Sequence, residues 1–176
     1  AAMEALRALG VTPVMLTGDN AATAGAIAAL AGIDEVKSNL LPQDKLEAVA
    51  ALQARYGFAA MAGDGINDAP ALAQADIGFA MGAAGTHIAI EAADVVIMND
   101  DLMRIPETIA LSRRTFRILR QNIALALGIK AVFLVLTVAG NATMWMAVFA
   151  DMGTSLIVIA NGLRLLRTPM LGKIKG

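Results

Sequence analysis

An eight-residue string, GDGINDAP from Gly63 to Pro70, carries the residues with the clearest chemical use. Its glycines allow a tight turn after a predicted strand, and that turn holds Asp64 where a carboxylate can bind a hard cation such as Mg²⁺. Asn67 can hydrogen-bond a phosphoryl oxygen, and Asp68 can tie the loop together through backbone N–H groups. The alternative, an acidic loop that only caps a helix, suits a bare Gly-Asp-Gly better than it suits the full string.

Two further segments contain polar groups of the same kind. Thr17-Gly18-Asp19-Asn20 follows an apolar run, and Lys45 lies in the first turn of a predicted helix that Pro42 opens. Taken alone, such a lysine is usually solvated, and a threonine before Gly-Asp often only caps a helix. The single histidine, His87, lies in a glycine-rich stretch, which indicates a surface or loop residue rather than a ligand.

The elements that must position these residues follow an alternating pattern. The predicted helices cover 2–9, 21–31, 42–55 and 69–75, and the predicted strands cover 11–16, the vicinity of Val36, 58–62, 77–81 and 95–98. Strands that alternate with helices indicate βαβ units and a parallel sheet, and therefore an α/β fold. Functional residues of such sheets lie beyond the carboxyl ends of the strands, where the loops at Thr17 and Asp64 are both expected.

The second part of the chain is much more apolar. Hydrophobic residues make up 57% of the sequence, charged residues make up 16%, and the mean hydropathy is +0.64. From Pro106 the pattern is helical, and 123–138 and 144–163 are apolar runs of about the length that crosses a bilayer. Arginines and lysines flank the pair at both outer ends, which puts both ends in the cytosol and leaves Trp145 beside the outer turn. The alternative is a hairpin inside a large soluble core.

Each apolar run contains one charged residue near its middle. Lys130 lies roughly 14 Å and Asp151 roughly 20 Å from the cytosolic ends, counted at the rise of a helix. We expect the two to approach each other as a charge pair, since an unpaired charge in a membrane is costly. The carboxylate can bind Zn²⁺ or a similar ion, and the ammonium can replace that ion. The alternative is a purely structural buried salt bridge.

GDGINDAP resembles the hinge motif of P-type ATPases, which belong to the haloacid-dehalogenase-like superfamily. Thr17-Gly18-Asp19 resembles that family's TGD segment, and Leu41-Pro42-Gln43-Asp44-Lys45 resembles its P-x-x-K segment. The resemblance implies that the protein uses ATP and Mg²⁺ for phosphoryl transfer. It implies Asp64 as the Mg²⁺ ligand, Lys45 as the charge that neutralises the phosphoryl group, Thr17 and Asn67 as its hydrogen-bond partners, and Gly18, Asp19 and Asp68 as supporting residues.

The last apolar run resembles one branch of this family. Asp151-Met152-Gly153-Thr154-Ser155-Leu156, followed by Asn161-Gly162-Leu163, is similar to the last core helix of zinc-, cadmium- and lead-exporting pumps. The copper branch has M-x-x-S-S there and the cobalt branch H-E-G, and neither pattern occurs. The resemblance implies Asp151 as a ligand of the transported ion and Lys130 as its built-in counter-ion. The methionines are expected to pack and contact lipid.

The expected organisation follows from these motifs. Residues 1–105 form a partial haloacid-dehalogenase-like parallel sheet, the later part of a phosphorylation domain. Residues 106–122 form a cytosolic stalk helix, 123–168 a transmembrane hairpin and 169–176 a cytosolic tail. The family's phosphorylated aspartate, in a DKTGT-like string, is not in the sequence, and neither is the Cys-Pro-Cys ligand string, so both are expected upstream.

The expected partners are the remainder of the same ATPase chain, membrane lipid and a heavy-metal ion. A net charge of −1 does not indicate nucleic acid. The expected location is a bacterial inner membrane, and the fragment alone is expected to be inactive. Two other interpretations stay open: a membrane-tethered phosphatase of the same superfamily, and a non-catalytic membrane interaction module.

Overall fold

A computed structural model describes residues 1–63, 66–82, 91–141 and 143–166, with the side chain of Ile66 excluded. The chain divides into two compact units, 1–106 and 107–176. The first unit contains helices α1 to α4 and five parallel strands within the described residues. In chain order they are α1 (Ala2–Ala8), β1 (Val14–Leu16), α2 (Ala21–Ala31), β2 (Glu35–Lys37), α3 (Pro42–Tyr56), β3 (Ala60–Gly63), a 3₁₀ turn (Ile66–Asp68), α4 (Ala69–Gln74), β4 (Ile77–Met81) and β5 (Val95–Ile97).

Helix ends follow capping residues that are visible in the sequence. The side chain of Asn20 accepts a hydrogen bond from the Thr23 N–H and begins α2. Gly32 and Gly57 end α2 and α3 in the left-handed conformation, with φ of 71° and 77°. Glycine adopts this conformation without the steric cost that a side chain brings, so both helices end where the sequence predicts.

The strands form two hydrogen-bonded sets rather than one continuous sheet among the described residues. In one set β1 pairs with β2, and in the other the order is β3–β4–β5. Every pairing is parallel, for example Val14 opposite Glu35 and Met61 opposite Gly78. This α/β arrangement confirms the predicted fold class and leaves β1 and β3 each with one edge that pairs with no described strand.

Two strands begin later than predicted, and local hydrogen bonds give the reason. The Val11 N–H donates to the Leu6 carbonyl after α1, and Pro13 has no N–H, so β1 begins only at Val14. The Ala59 N–H donates to the carboxylate of Asp76 instead of joining a ladder, so β3 begins at Ala60.

A small core holds the first unit together. Val49, Met61, Ala71 and Leu72 form a buried cluster, against which Leu16, Ala75 and Ala92 pack. Leu16 brings the end of β1 to the same core as β3 and α4, although β1 and β3 do not share a described ladder. The loops that follow β1 and β3 are therefore anchored on a common hydrophobic base.

The second unit is built on two long helices, α5 (Arg104–Val138) and α6 (Met144–Leu163), the first of which begins within the first unit. The start at Arg104 precedes the predicted Pro106, because Asp101 accepts from the Met103 N–H and the Arg104 N–H donates to the Asp101 carbonyl. Gly140, with φ of 74°, and the Thr143 cap form the turn.

Both helices are long and apolar enough to cross a membrane. Their most apolar segments have mean hydropathies of 1.8 and 1.5, and 0% and 6% of those segments are buried inside the described chain. Side chains such as Leu134 and Phe149 remain 66% and 71% exposed, and Trp145 beside the turn is 73% exposed. The apolar surface needs lipid or further protein to cover it, which fits the predicted transmembrane hairpin.

Candidate functional site

The loop after β1 is fastened to the loop after β2 by backbone hydrogen bonds. The Thr17 N–H donates to the Lys37 carbonyl at 3.0 Å, and the Leu40 N–H donates to the Thr17 carbonyl at 3.1 Å. The Asn39 N–H donates to the Asp19 carbonyl at 2.8 Å, and Asn39 itself has a left-handed φ of 55°. These bonds fix the path of the Thr17 loop before any ligand is present.

Within this loop the side chains of Thr17 and Asp19 bind each other. The Asp19 N–H donates to Thr17 Oγ1 at 3.1 Å, and Thr17 Oγ1 donates to Asp19 Oδ2 at 3.0 Å. A Cβ on Gly18 would lie 3.2 Å from the Leu40 carbonyl oxygen, so a side chain there would require this carbonyl to move by a few tenths of an ångström. The hydroxyl of Thr17 is thus oriented at the carboxyl end of β1, as the sequence predicts.

Lys45 is positioned by the first turn of α3. Pro42 begins this helix, and Asp44 Oδ2 accepts from the Leu41 N–H at 2.8 Å, which satisfies one of the free donors at the helix start. The side chain of Lys45 is only 15% exposed, and its Nζ donates to Asp68 Oδ1 at 2.7 Å. The two residues that sequence reasoning placed in separate motifs therefore form one ion pair.

Asp68 lies close to the last residue of β3. A Cβ on Gly63 would lie 2.8 Å from the Asp68 Cβ and 2.9 Å from its Oδ2, so only glycine leaves room for this carboxylate. Sequence analysis expected Asp68 to tie its loop together through backbone N–H groups, whereas the partner that the structure gives its carboxylate is Lys45. Packing between α3 and the 3₁₀ turn brings that cation within reach.

Of the remaining predicted residues of this region, only Asn67 lies within the described part of the chain. Asn67 is exposed in the 3₁₀ turn, where its amide can reach a ligand. Asp64 and His87 lie outside the described residues, so the Mg²⁺ ligand and the loop assignment of His87 stay predictions. Within the described part of the chain, no group of three or more acidic or histidine side chains could hold a metal ion.

The arrangement suits an anion at the carboxyl ends of β1 and β3. A hydroxyl, an exposed amide and a largely buried ammonium can donate hydrogen bonds to a phosphoryl group and stabilise its charge. The Asp68 carboxylate is the countercharge of the Lys45 ammonium. A bound phosphoryl group would therefore compete with this carboxylate for the same ammonium. The individual roles predicted for Thr17, Gly18 and Asp19 remain predictions.

Asp76 is a second anchored carboxylate, located away from these loops. Hydrogen bonds from the Ala59 N–H and from the Gln53 amide hold the pKa of Asp76 below its usual value, although partial desolvation acts in the opposite direction. The carboxylate joins the segment before β3 to the segment before β4. Its function is structural, since it orients the strand that leads into the Asp68 loop.

The charge pair expected inside the hairpin is not formed. Lys130 and Asp151 are both exposed, and no ion pair joins them among the salt bridges of the described chain. The seam between α5 and α6 is made by other positions, including Asn122, the buried Thr154 and Val158. Because both residues are exposed, neither charged side chain is buried in the contact between α5 and α6.

The seam also contains a polar cluster that was not predicted from the sequence. Asn161 Nδ2 donates to Asn122 Oδ1 at 2.8 Å, and Asn122 Nδ2 donates to the Val158 carbonyl at 3.4 Å. Arg164 Nη1 donates to Asn161 Oδ1 at 3.0 Å, and Arg114 Nη2 donates to the Arg164 carbonyl at 2.9 Å. The sequence does contain a signal for this cluster. Asn122 lies eight residues from Lys130, and Asn161 lies ten residues from Asp151.

Comparisons with known proteins agree with these features. A family model of haloacid dehalogenase-like hydrolases matches residues 1–76. A probable cadmium-transporting ATPase of Listeria monocytogenes is 52% identical over 163 residues, which is 92% of this chain and 23% of the relative. A zinc/cadmium/lead-transporting P-type ATPase of Escherichia coli (strain K12) is 49% identical over 166 residues, 94% of this chain and 22% of the relative.

A solved structure extends the match to three dimensions. The crystal structure of a zinc-transporting PIB-type ATPase in the E2.Pi state has a TM-score of 0.86 to this chain and 48% identity. The match covers 94% of this chain and 27% of that one. The chain spans about a quarter of the length of the relatives it matches, at 22–23% of the two ATPases above. By sequence and by fold, the chain belongs to the heavy-metal-transporting P-type ATPases.

Proposed function

We propose that the protein of which this chain is a part exports a divalent heavy-metal ion, Zn²⁺, Cd²⁺ or Pb²⁺, across a membrane and drives the export by ATP through a phosphoenzyme. One observation carries the proposal: a single chain combines a phosphoryl-type site on a parallel sheet with two charges in the middle of an apolar hairpin. The relatives named above are cadmium and zinc/cadmium/lead transporters, which supports the same choice of ions.

The phosphoryl step uses groups that the chain already orients. Thr17 Oγ1 and the Asn67 amide donate hydrogen bonds to the phosphoryl oxygens, and Lys45 neutralises their charge. Asp68 holds Lys45 at 2.7 Å until the phosphoryl group arrives. The Thr17 hydroxyl turns its single proton from Asp19 Oδ2 to the phosphoryl group, while the Asp19 N–H continues to hold Thr17 Oγ1. Oxygen ligands suit Mg²⁺, and Asp64 is its proposed ligand, where the ion would neutralise phosphoryl charge.

The rest of the protein supplies the phosphorylated aspartate in this proposal. The edges of β1 and β3 pair with no described strand, yet Leu16 at the end of β1 packs on the core that contains Met61 of β3. A strand added between these edges would end beside the loops of Thr17 and Asp68. An aspartate at that end would lie among the phosphoryl-binding groups, as Mg²⁺ and ATP chemistry requires.

The ion site is proposed at Asp151, with Lys130 as its counter-ion. A carboxylate is an acceptable Zn²⁺ ligand, and the remaining ligands come from other helices of the full protein. When the ion leaves, the ammonium of Lys130 moves to the carboxylate and prevents an unpaired charge in the membrane. Basic residues at both ends of the hairpin put these ends in the cytosol, and the proposed location is a bacterial inner membrane.

The decisive experiment measures metal-stimulated ATPase activity of the full-length protein in lipid. Zn²⁺, Cd²⁺, Pb²⁺, Cu⁺ and Co²⁺ are tested with the unmodified protein, Asp151→Ala and Lys130→Met. Thr137→Val, on α5 near the turn, is the control for a polar-to-apolar change in the hairpin. Stimulation by the first three ions that Asp151→Ala abolishes and Thr137→Val keeps is the expected result.

Other outcomes have distinct meanings. Stimulation by Cu⁺ or Co²⁺, or indifference to Asp151, overturns the proposed ion and its site. Metal transport that continues in Asp64→Ala overturns the ATP-driven pump and favours a non-catalytic module. Hydrolysis of phosphate esters without any metal stimulation favours a membrane-tethered phosphatase.

A further inference from the structure

The polar cluster in the hairpin seam has a definite place relative to the two intramembrane charges. Asn122 precedes Lys130 by eight residues on α5, and Asp151 precedes Asn161 by ten residues on α6. At the rise of an α-helix these separations are about 12 Å and about 15 Å. Because the helices are antiparallel and Asn161 is hydrogen-bonded to Asn122, Lys130 and Asp151 lie within about 3 Å of the same depth.

The same bond also fixes the side of the hairpin on which the charges lie. Successive residues of a helix are rotated by about 100°, so Lys130 and Asp151 are each about 80° away from the asparagine on their own helix. Viewed from the end of the hairpin that holds the asparagines, these two rotations have opposite senses, and they start from side chains that face each other. Both charged side chains therefore project from one side of the seam, into the region that a third helix or a bound ion would occupy.

The residues between the asparagines and the charges could not hold this arrangement alone. The seam positions of α5 beyond Asn122 are Ala126, Ile129 and Phe133, which are half-buried and apolar. Apolar side chains can pack in more than one register. A shift between registers costs little free energy, because lipid tails are as apolar as these side chains. A slip of one helical turn would separate Lys130 from Asp151 by about 5 Å. It would also break the hydrogen bond of the amide pair at the cytosolic end of the hairpin.

Two arginine contacts keep Asn161 in its pairing orientation. Arg164 Nη1 donates to Asn161 Oδ1, which leaves the Asn161 Nδ2 group free to donate to Asn122 Oδ1. The Arg164 carbonyl in turn accepts from Arg114 Nη2 on α5. The orientation of the amide pair is therefore fixed by basic residues at the cytosolic ends of the two helices.

We propose that Asn122 and Asn161 are positioning residues for the ion site, which rests on the proposed function of Asp151 and Lys130. The amide pair sets the register of α5 against α6, and the register brings the carboxylate and the ammonium to one depth and one side. Neither asparagine touches the ion. Their removal weakens ion binding and leaves the phosphoryl site unaffected.

The test compares ion and nucleotide parameters of the full-length protein in lipid. In Asn122→Ala and in Asn161→Ala, the Zn²⁺ concentration for half-maximal ATPase activity rises by about 10-fold, the usual effect of losing an orienting partner of a metal ligand. The KM for ATP does not change. Equilibrium binding of Zn²⁺ in the absence of ATP shows the same loss. Asn141→Ala, in the exposed turn, is the matched control and leaves both parameters unchanged.

A double variant separates register from stability. Asn122→Leu with Asn161→Leu removes both partners and leaves no unsatisfied amide, so the hairpin still inserts and folds. We expect this variant to bind Zn²⁺ as weakly as the single variants, since the register is lost in each. Normal Zn²⁺ affinity in any variant lacking the pair, or an equal rise of the KM for ATP, overturns the positioning role. Absence of metal stimulation in the unmodified protein overturns the proposed function instead.

Discussion

Lys45 Nζ lies 2.7 Å from Asp68 Oδ1, and the two side chains are only 15% and 13% exposed. The pair joins the first turn of α3 to the 3₁₀ turn after β3, so it connects two of the three motifs that the sequence presents. Its low exposure distinguishes it from Arg7–Asp34, Arg55–Glu35 and Arg104–Asp101, three other ion pairs of the described residues. The Arg7–Asp34 pair is equally short, at 2.6 Å, but its side chains are 40% and 92% exposed.

Replacing Asp68 by Asn should therefore destabilise the first unit. The ammonium of Lys45 would stay largely buried without its countercharge, at a cost of about 1–3 kcal/mol in the free energy of opening. Asp34→Asn is the matched control, and its effect should stay below about 1 kcal/mol because water screens the exposed pair. Hydrogen exchange of the α3 amides in the full-length protein measures both. Equal effects of the two substitutions would show that burial of the Lys45 pair has no energetic consequence.

Gly63→Ala should displace the same carboxylate. The added Cβ would lie 2.8 Å from the Asp68 Cβ, which forces Asp68 away from Lys45 and costs about 1–3 kcal/mol. The control is Gly25→Ala in α2, where nothing lies within 4 Å of the added Cβ. Since alanine favours a helix, that variant should be stabilised by up to about 1 kcal/mol. Amide exchange of α3 and ATPase activity are the measurements, and a Gly63→Ala protein with both unchanged would contradict the packing described above.

The lowered pKa of Asp76 predicts that the stability of the first unit depends on pH. Its folded pKa lies below the unfolded value of about 4, because the Ala59 N–H and the Gln53 amide bind the charged form. The carboxylate therefore stabilises the fold above the unfolded pKa, and the contribution is lost as pH falls through the folded pKa. Asp76→Asn should reduce the acid-induced loss of stability between neutral pH and the folded pKa. Glu47→Gln, an exposed acid on α3, controls for removal of one negative charge, and identical acid profiles for Asp76→Asn and the unmodified protein would contradict the prediction.

Helix ends and the alternation of helices with strands in the first unit follow from local rules, which is why the sequence predicts them well. Asn20 caps α2, and Gly32 ends it, so both ends depend on residues adjacent in the chain. The start of β3 is different, because Ala59 is bound by Asp76, seventeen residues later. A strand boundary set by a distant carboxylate has no local signal.

The candidate site also combines contacts between residues close together in the chain with contacts that depend on tertiary packing. Thr17 and Asp19 interact within one loop and are two residues apart, whereas the Lys45–Asp68 pair depends on how α3 packs beside β3. In the hairpin, the depths of Lys130 and Asp151 follow from counting residues. Which side of each helix faces the other does not, because both helices are apolar almost all round and several registers bury similar surfaces.

Substitutions of Thr17 can separate the structural role of its hydroxyl in the loop from its chemical role at the phosphoryl site. Its hydroxyl accepts from the Asp19 N–H and donates to the Asp19 carboxylate, at 3.1 and 3.0 Å. Thr17→Ser keeps this oxygen, and Thr17→Val replaces it by a methyl group of similar size. We expect Thr17→Val to lower the ATPase rate by at least about 10²-fold, as loss of one fixed hydrogen-bond donor does in other enzymes.

Stability should change much less than rate in that variant. Loss of the local hydrogen bonds costs about 1 kcal/mol, and the backbone bonds from Thr17 to Lys37 and Leu40 remain. Thr17→Ser should keep most of the activity, and Thr12→Val, an exposed threonine before β1, is the control for the same chemical change elsewhere. Steady-state ATPase assays and amide exchange, made on the same full-length samples, separate the two effects. If Thr17→Val retained normal turnover, the hydroxyl would serve only to shape the loop, and phosphoryl stabilisation would have to come from Lys45 and Asn67 alone.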